Sequence, residues 1–260
     1  MTIHFGNPDK PDTIQDAIGR YNNSEFRSIT RSTIPMLSLL AHEPKVFQNL
    51  VGETKLPIHY HTYLEYTVSP KLGRGKASHT DVMLIDGNAS LAIEAKWIEG
   101  MYPKVQDWIS QGSNEQNRKD VLKGWVDCLG NHLGQELNPD DFHGVIYQMI
   151  HRAASAVVAG KKPSVAYFCF KMKSFTRGAK IEQIEQRLTE LWILLGQPEN
   201  FPFFVAEIEI KEEDAYKNLQ EEAKTKSKEE ISELVIAALQ DNESLFTFLP
   251  KPVVRIGSHT

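Results

Sequence analysis

Two β-rich runs, His79–Ile85 and Ala89–Lys96, are separated only by Asp86-Gly87-Asn88, and this spacing constrains the chain more than any other feature. Glycine and asparagine both tolerate the positive φ angles that tight hairpin turns use, so Gly87-Asn88 is a favourable two-residue loop. With that loop, Ile85 faces Ser90, Met83 faces Ala92, and Asp81 faces Glu94. A loop at Asp86-Gly87 keeps Asp81 on the Glu94 face, whereas a three-residue loop reverses the parity.

Opposed residues on paired strands have Cβ atoms about 4.5–5.5 Å apart, and side chains two residues apart share a face. Lys96 therefore joins Asp81 and Glu94. Two facing carboxylates repel and resist ionisation, a conflict that a divalent cation would remove. Oxygen ligands suit Mg²⁺ or Mn²⁺, with the backbone carbonyl of Ala95, water and a phosphate able to complete an octahedral shell.

Around the hairpin the pattern is mixed. Leu64, Tyr66 and Val68 alternate with Tyr63, Glu65 and Thr67, which predicts a strand over residues 60–68. Glu65 reads either as a further metal or water ligand or as a solvent-facing strand residue. Residues 69–78 contain Pro70, Gly73 and Gly75 and read as a mobile basic loop whose Lys71, Arg74 and Lys76 could contact phosphate.

The residues up to Pro11 look loose. A helix is plausible from Asp12, and a second is capped at Ser32 or Thr33 and ended by Pro44. Glu43, at the end of that helix, reads as a surface residue. Helical spacing recurs over residues 102–108, 118–129, 145–159 and 181–195, and β-rich runs over 164–172 and 203–210. In the 145–159 helix, Ile146, Met149, Ile150, Ala153 and Val157 form an apolar stripe. Gln148, His151 and Arg152 fall outside that stripe, either as phosphate contacts or as its solvated side.

A chain of 260 residues, 41% hydrophobic and 24% charged, can bury one sizeable core. Its net charge of −5 means that any nucleic-acid contact uses local basic patches. Cys128 and Cys169 do not make a disulfide framework, and no basic-then-apolar leader opens the sequence, so a cytoplasmic setting without membrane contact is expected. His59 and His61 lack a clear third zinc ligand, and Gly73-x-Gly75 precedes a strand, not a helix.

Asp81, twelve intervening residues and then Glu94-Ala95-Lys96, on consecutive strands and with the apolar run Leu91-Ala92-Ile93 before Glu94, resembles the PD-(D/E)XK restriction-endonuclease-like superfamily. The proline that usually precedes the aspartate is absent, His79-Thr80 standing there instead. The resemblance covers residues 60–100, with support from the 145–159 helix, where related nucleases place polar contacts.

It implies an α/β restriction-endonuclease-like core, a mixed central β-sheet flanked by helices. It also implies that Asp81 and Glu94 hold Mg²⁺ or Mn²⁺ while Lys96 orients or polarises the attacking water. The implied activity is phosphodiester hydrolysis, with DNA as the expected partner by analogy with the superfamily. Residues 1–210 are expected to form this core and residues 211–260 a charged helical C-terminal appendage. The alternative is a noncatalytic nucleic-acid-binding or assembly module on the same scaffold. The sequence leaves a homo-oligomer open.

Overall fold

The computed structural model describes residues 2–7, 10–57, 59–175, 177–241 and 243–257. The chain opens with β1 (Thr2–Phe5), α1 (Ile14–Gly19), α2 (Thr33–His42) and α3 (Pro44–Glu53). The hairpin region follows as β2 (His61–Val68), β3 (Ser78–Asp86) and β4 (Ala89–Lys96). Three helices come next, α4 (Val105–Ser110), α5 (Glu115–Leu133) and α6 (Tyr147–Ala159). The remainder is β5 (Lys162–Lys171), α7 (Ile181–Leu194), β6 (Phe203–Glu212), α8 (Asp214–Glu222), α9 (Lys228–Gln240), β7 (Phe246–Pro250) and β8 (Val254–Arg255).

The strands form one mixed eight-stranded sheet, in spatial order β1 to β7, with β8 paired to β6. The β1–β2, β4–β5 and β5–β6 pairs are parallel and the others antiparallel. Parallel neighbours require crossovers, and α1–α3, α4–α6 and α7 supply them in turn. The protein is therefore an α/β fold with a mixed central sheet flanked by helices.

Two apolar clusters sandwich the sheet. One joins Leu64, Val82, Leu84, Leu91 and Ile93 to the N-terminal helices and to α8 and α9. The other joins Met83, Ala92, Val165 and Tyr167 to α4–α7. Alternation along β4 follows the pleat, with Leu91, Ile93 and Ala95 toward the first cluster and Ala92 toward the second.

The segment after residue 210 is not a separate appendage. β6 runs on to Glu212, β7 pairs with it, and Tyr216, Ile231, Val235 and Leu239 are buried in the same core as the N-terminal helices. The high charge of this stretch belongs to the outward faces of α8 and α9, which hid its apolar stripes. The opening residues, expected to be loose, include β1, which pairs with β2. Pro44 ends α2 but also opens α3, where its missing N–H costs nothing.

The hairpin register is the expected one over most of its length, with Ile85 opposite Ser90 and Met83 opposite Ala92. Gly87 takes the positive φ of the turn, at +50°, while Asn88 does not need one. The carbonyl of Asn88 accepts the Lys162 amide at 2.8 Å, so the turn also seeds the pairing of β4 with β5. No described helix is long and apolar enough to cross a membrane.

Candidate active site

The β3–β4 ladder stops at Val82 and Ile93, one step short of the expected Asp81–Glu94 pair. The β2–β3 ladder also skips a step there, pairing Leu64 with Val82 and Tyr66 with Thr80 but leaving Glu65 and Asp81 unpaired. Glu65 has φ +52°, a left-handed conformation that non-glycine residues adopt at a cost of order 1 kcal/mol. Leu64 faces the first cluster while Tyr66 and Val68 face the second, so the pleat changes phase at this step. The parity argument assumed an unbroken pleat, and the break changes what each side chain meets.

Asp81 turns toward β4 and its Oδ2 accepts the Ala95 amide at 2.7 Å. The phase change also presents Ser78 and Thr80 to α6. Glu94 is 3% and Lys96 6% exposed. Lys96 Nζ donates to Glu94 Oε1 at 3.0 Å, Gln148 Nε2 donates to the same oxygen at 2.7 Å, and Arg152 donates a charge-assisted hydrogen bond to Oε2. Arg152 Nη1 also donates to Thr80 Oγ1 at 2.8 Å.

Gln148 and Arg152 are therefore not on a solvated side of α6. They point at the sheet, and each holds Glu94. Gln148, Arg152 and Ser155 lie four and then three residues apart, the spacing of a single helical face. That polar stripe was the available signal, but the apolar stripe beside it drew the reading of which face is buried. Sequence reasoning placed His151 with them; it is half-buried, bonded to Ser78 Oγ at 2.8 Å through Nδ1.

The carboxyls do not titrate alike. Burial, and then repulsion from Glu94, push Asp81 up to about 7 against an opposing pull from Arg152. Burial, and then repulsion from Asp81 and Glu25, push Glu65 up to about 8. Burial would also raise Glu94, but Arg152 and Lys96 together outweigh it and hold its carboxyl below the ordinary value. Burial opposes the charge on Lys96, yet Glu94 and Asp81 prevail and raise its pKa. His151 is pushed down to about 3 by burial and then by Arg152, so it stays neutral.

These groups line a cleft of about 910 Å³ between the hairpin, α5, α6 and the approach to α2. Arg74 and Lys76 sit on its lining and make no ion pair among the described residues, whereas Lys71 is not part of it. The basic loop, read from the sequence as mobile, is docked on α5. Asn117 of α5 bonds both the amide and the carbonyl of Arg74, at 2.6 and 2.5 Å. Gly73 has φ +72° and approaches α5 so closely that a Cβ there would lie 2.6 Å from Val121 Cγ2.

Mg²⁺ and Mn²⁺ take oxygen ligands, and Asp81, Glu65 and Glu94 offer carboxylate oxygens. Asp81 has no ion-pair partner among the described residues, and Glu65 has only His79 at 3.8 Å. These are groups whose ionisation a divalent cation would favour. Among the described residues, however, no three acidic, histidine or cysteine side chains are gathered so as to hold a metal ion. The donor set fits a hard cation in type and charge, with Glu94 engaged by its three protein donors. Ala95, expected to offer a carbonyl, contributes its amide to Asp81.

Elsewhere, His61 opens β2 between β1 and β3, with its Nδ1 3.2 Å from His4 Nε2, and is not part of this cleft. Cys128 and Cys169 are buried free thiols. A family model described as a domain of unknown function, DUF6946, matches residues 9–212, well over half of the chain. No curated protein and no solved structure matches.

Proposed function

The chain belongs to the DUF6946 family, whose description carries no activity, and we propose from its own residues that it is a divalent-metal-dependent nuclease with a restriction-endonuclease-like core. DNA is the proposed substrate. The observation that carries the reading is the convergence of Asp81, Glu94 and Lys96, with Glu65 beside them, in one cleft whose lining includes Arg74 and Lys76, cations without an ion pair among the described residues.

Asp81 and Glu65, with Glu94 once freed from part of its hydrogen bonding, would hold Mg²⁺ or Mn²⁺. A cation bound there supplies charge stabilisation for the phosphoryl oxygens and a lowered pKa for water. Lys96, kept charged by its two acidic neighbours, presents an ammonium for the developing negative charge or for the attacking water. Gln148 and Arg152 fix the orientation of Glu94. Arg74 and Lys76 hold flanking phosphates, and His151, neutral and bonded to Ser78, acts as a hydrogen-bonding partner and not as a cation.

A second reading has one observation in its favour. Glu94 is already satisfied by Lys96, Gln148 and Arg152, as in a structural ion-pair core, which suits a noncatalytic nucleic-acid-binding module. Cleavage assays on single-stranded and duplex DNA with Mg²⁺ or Mn²⁺ separate the two. The nuclease reading expects activity in the wild type and its loss in Asp81→Ala, Glu94→Ala and Lys96→Ala, with circular dichroism reporting a retained fold. Near-native metal-dependent cleavage by all three variants, or none by the wild type, would overturn it.

A further inference from the structure

Beyond β4 the chain passes Gly100 and Met101 to Tyr102, a residue 50% exposed. No other phenylalanine, tyrosine or tryptophan among the described residues falls in the exposed class. The exposure is not that of a loose loop. The next residue, Pro103, accepts the Tyr147 amide at 3.1 Å through its carbonyl, and Lys104 bridges Ile146. The ring is held on the cleft lining with Lys96 Nζ 5.5 Å from its centroid.

The neighbouring aromatic residue is already occupied. Trp108 stacks on Tyr147 with centroids 3.6 Å apart and planes 9° from parallel, and the Arg118 guanidinium lies 4.9 Å from its centroid. Tyr102, with Lys96 over its ring but no ring stacked on it among the described residues, is thus the aromatic side chain of the cleft that can receive a flat partner on its open face. Water wets an aromatic face poorly, so a pinned, exposed ring is best used by stacking.

We infer that Tyr102 is a stacking platform for an unpaired nucleobase, so that the cleft takes single-stranded or locally unpaired nucleic acid. This rests on the nuclease reading and names its substrate class. In a duplex each base face is covered by its neighbours, and only a strand end, a single strand or a flipped base can present one. A base on Tyr102 sets its adjoining phosphate within one nucleotide's span of Lys96, and the strand continues past Arg74 and Lys76. Tyr102 selects the substrate, and Lys96 meets its phosphate.

The test is binding of a short single-stranded DNA carrying the fluorescent base aminopurine, in EDTA so that no cleavage intervenes. Wild type and Tyr102→Phe should quench the fluorophore, as stacking does, and bind single strands at least ~10-fold more tightly than the matching duplex. Tyr102→Ala should lose the quenching and weaken single-strand binding by ~10-fold, with its melting temperature unchanged because the ring is half in solvent. Equal quenching by Tyr102→Ala, or duplex binding as tight as single-strand binding, overturns the inference. If that result accompanies metal-dependent duplex cleavage by the wild type, the nuclease reading survives and the stacking platform alone falls. Absence of both binding and cleavage in the wild type sinks both.

Discussion

Asp81 Oδ2 accepts the amide hydrogen of Ala95 at 2.7 Å, where the β3–β4 ladder has ended and no β3 carbonyl takes that role. The carboxylate therefore does two things, ending a backbone ladder and presenting charge to the cleft. Substitution can separate them. Asp81→Asn keeps an oxygen for Ala95 and removes the repulsion from Glu94 and Glu65, so the metal-free protein should melt higher than wild type. Asp81→Ala removes the acceptor as well and should cost about 1–3 kcal/mol through an unmet buried amide. Both should lose most of the Mn²⁺-induced rise in melting temperature. Thermal melts with and without Mn²⁺ at constant ionic strength check this, and an equal metal shift in wild type and Asp81→Asn would remove Asp81 from the ligand set.

How much of this was legible in the sequence follows from the range of the forces involved. The hairpin and its register were readable because Gly87-Asn88 sets a short loop and the alternation on either side is strong. The long helices α5, α6 and α7 were readable from their spacing. The arrest of the ladder at Asp81 was not, because it depends on the left-handed turn of Glu65 on another strand, and glutamate carries no local signal for positive φ. The partners of Glu94 were missed for a related reason. Buried polar residues on α6 look like a solvated face until the sheet beneath supplies a carboxylate, and only tertiary contact tells the two apart. The docking of the basic loop needed Asn117, more than forty residues along the chain. β1 and β7 were missed because short edge strands have too few residues to show a period.

Arg152 and Glu94 should be coupled energetically, since both are buried and each is the other's counter-ion. Arg152→Met leaves Glu94 with Lys96 and Gln148 alone and should cost about 3–5 kcal/mol in urea unfolding, the range for breaking a buried pair from one side. Glu94→Gln should also destabilise, because Arg152 and Lys96 lose their charge partner. The double variant should cost less than the two single losses together, by at least ~1 kcal/mol. Additive losses would mean that the pair acts only through packing.

The last prediction concerns pH, and its sign differs between neighbouring carboxyls. Glu65 and Asp81 are raised to about 8 and about 7 in the folded protein, while unfolded carboxyls titrate near about 4. Between those limits the folded state holds more protons than the unfolded state, so stability from these two groups is present at low pH and is lost as pH rises through 7 and 8. Glu94 runs the other way. Its folded pKa is lowered, so its contribution is present above the unfolded value and is lost only as pH falls through the lower folded value, outside the window in which the other two change. In EDTA the melting temperature of the wild type should therefore fall from about pH 5 to about pH 9 relative to a Glu65→Gln, Asp81→Asn double variant. Mg²⁺ binding displaces the same protons, so the Mg²⁺-induced rise in melting temperature should grow over that window in the wild type and stay small and flat in the double variant. A constant difference between the two proteins across the window, with a metal shift independent of pH, would show that neither carboxyl is held protonated in the cleft.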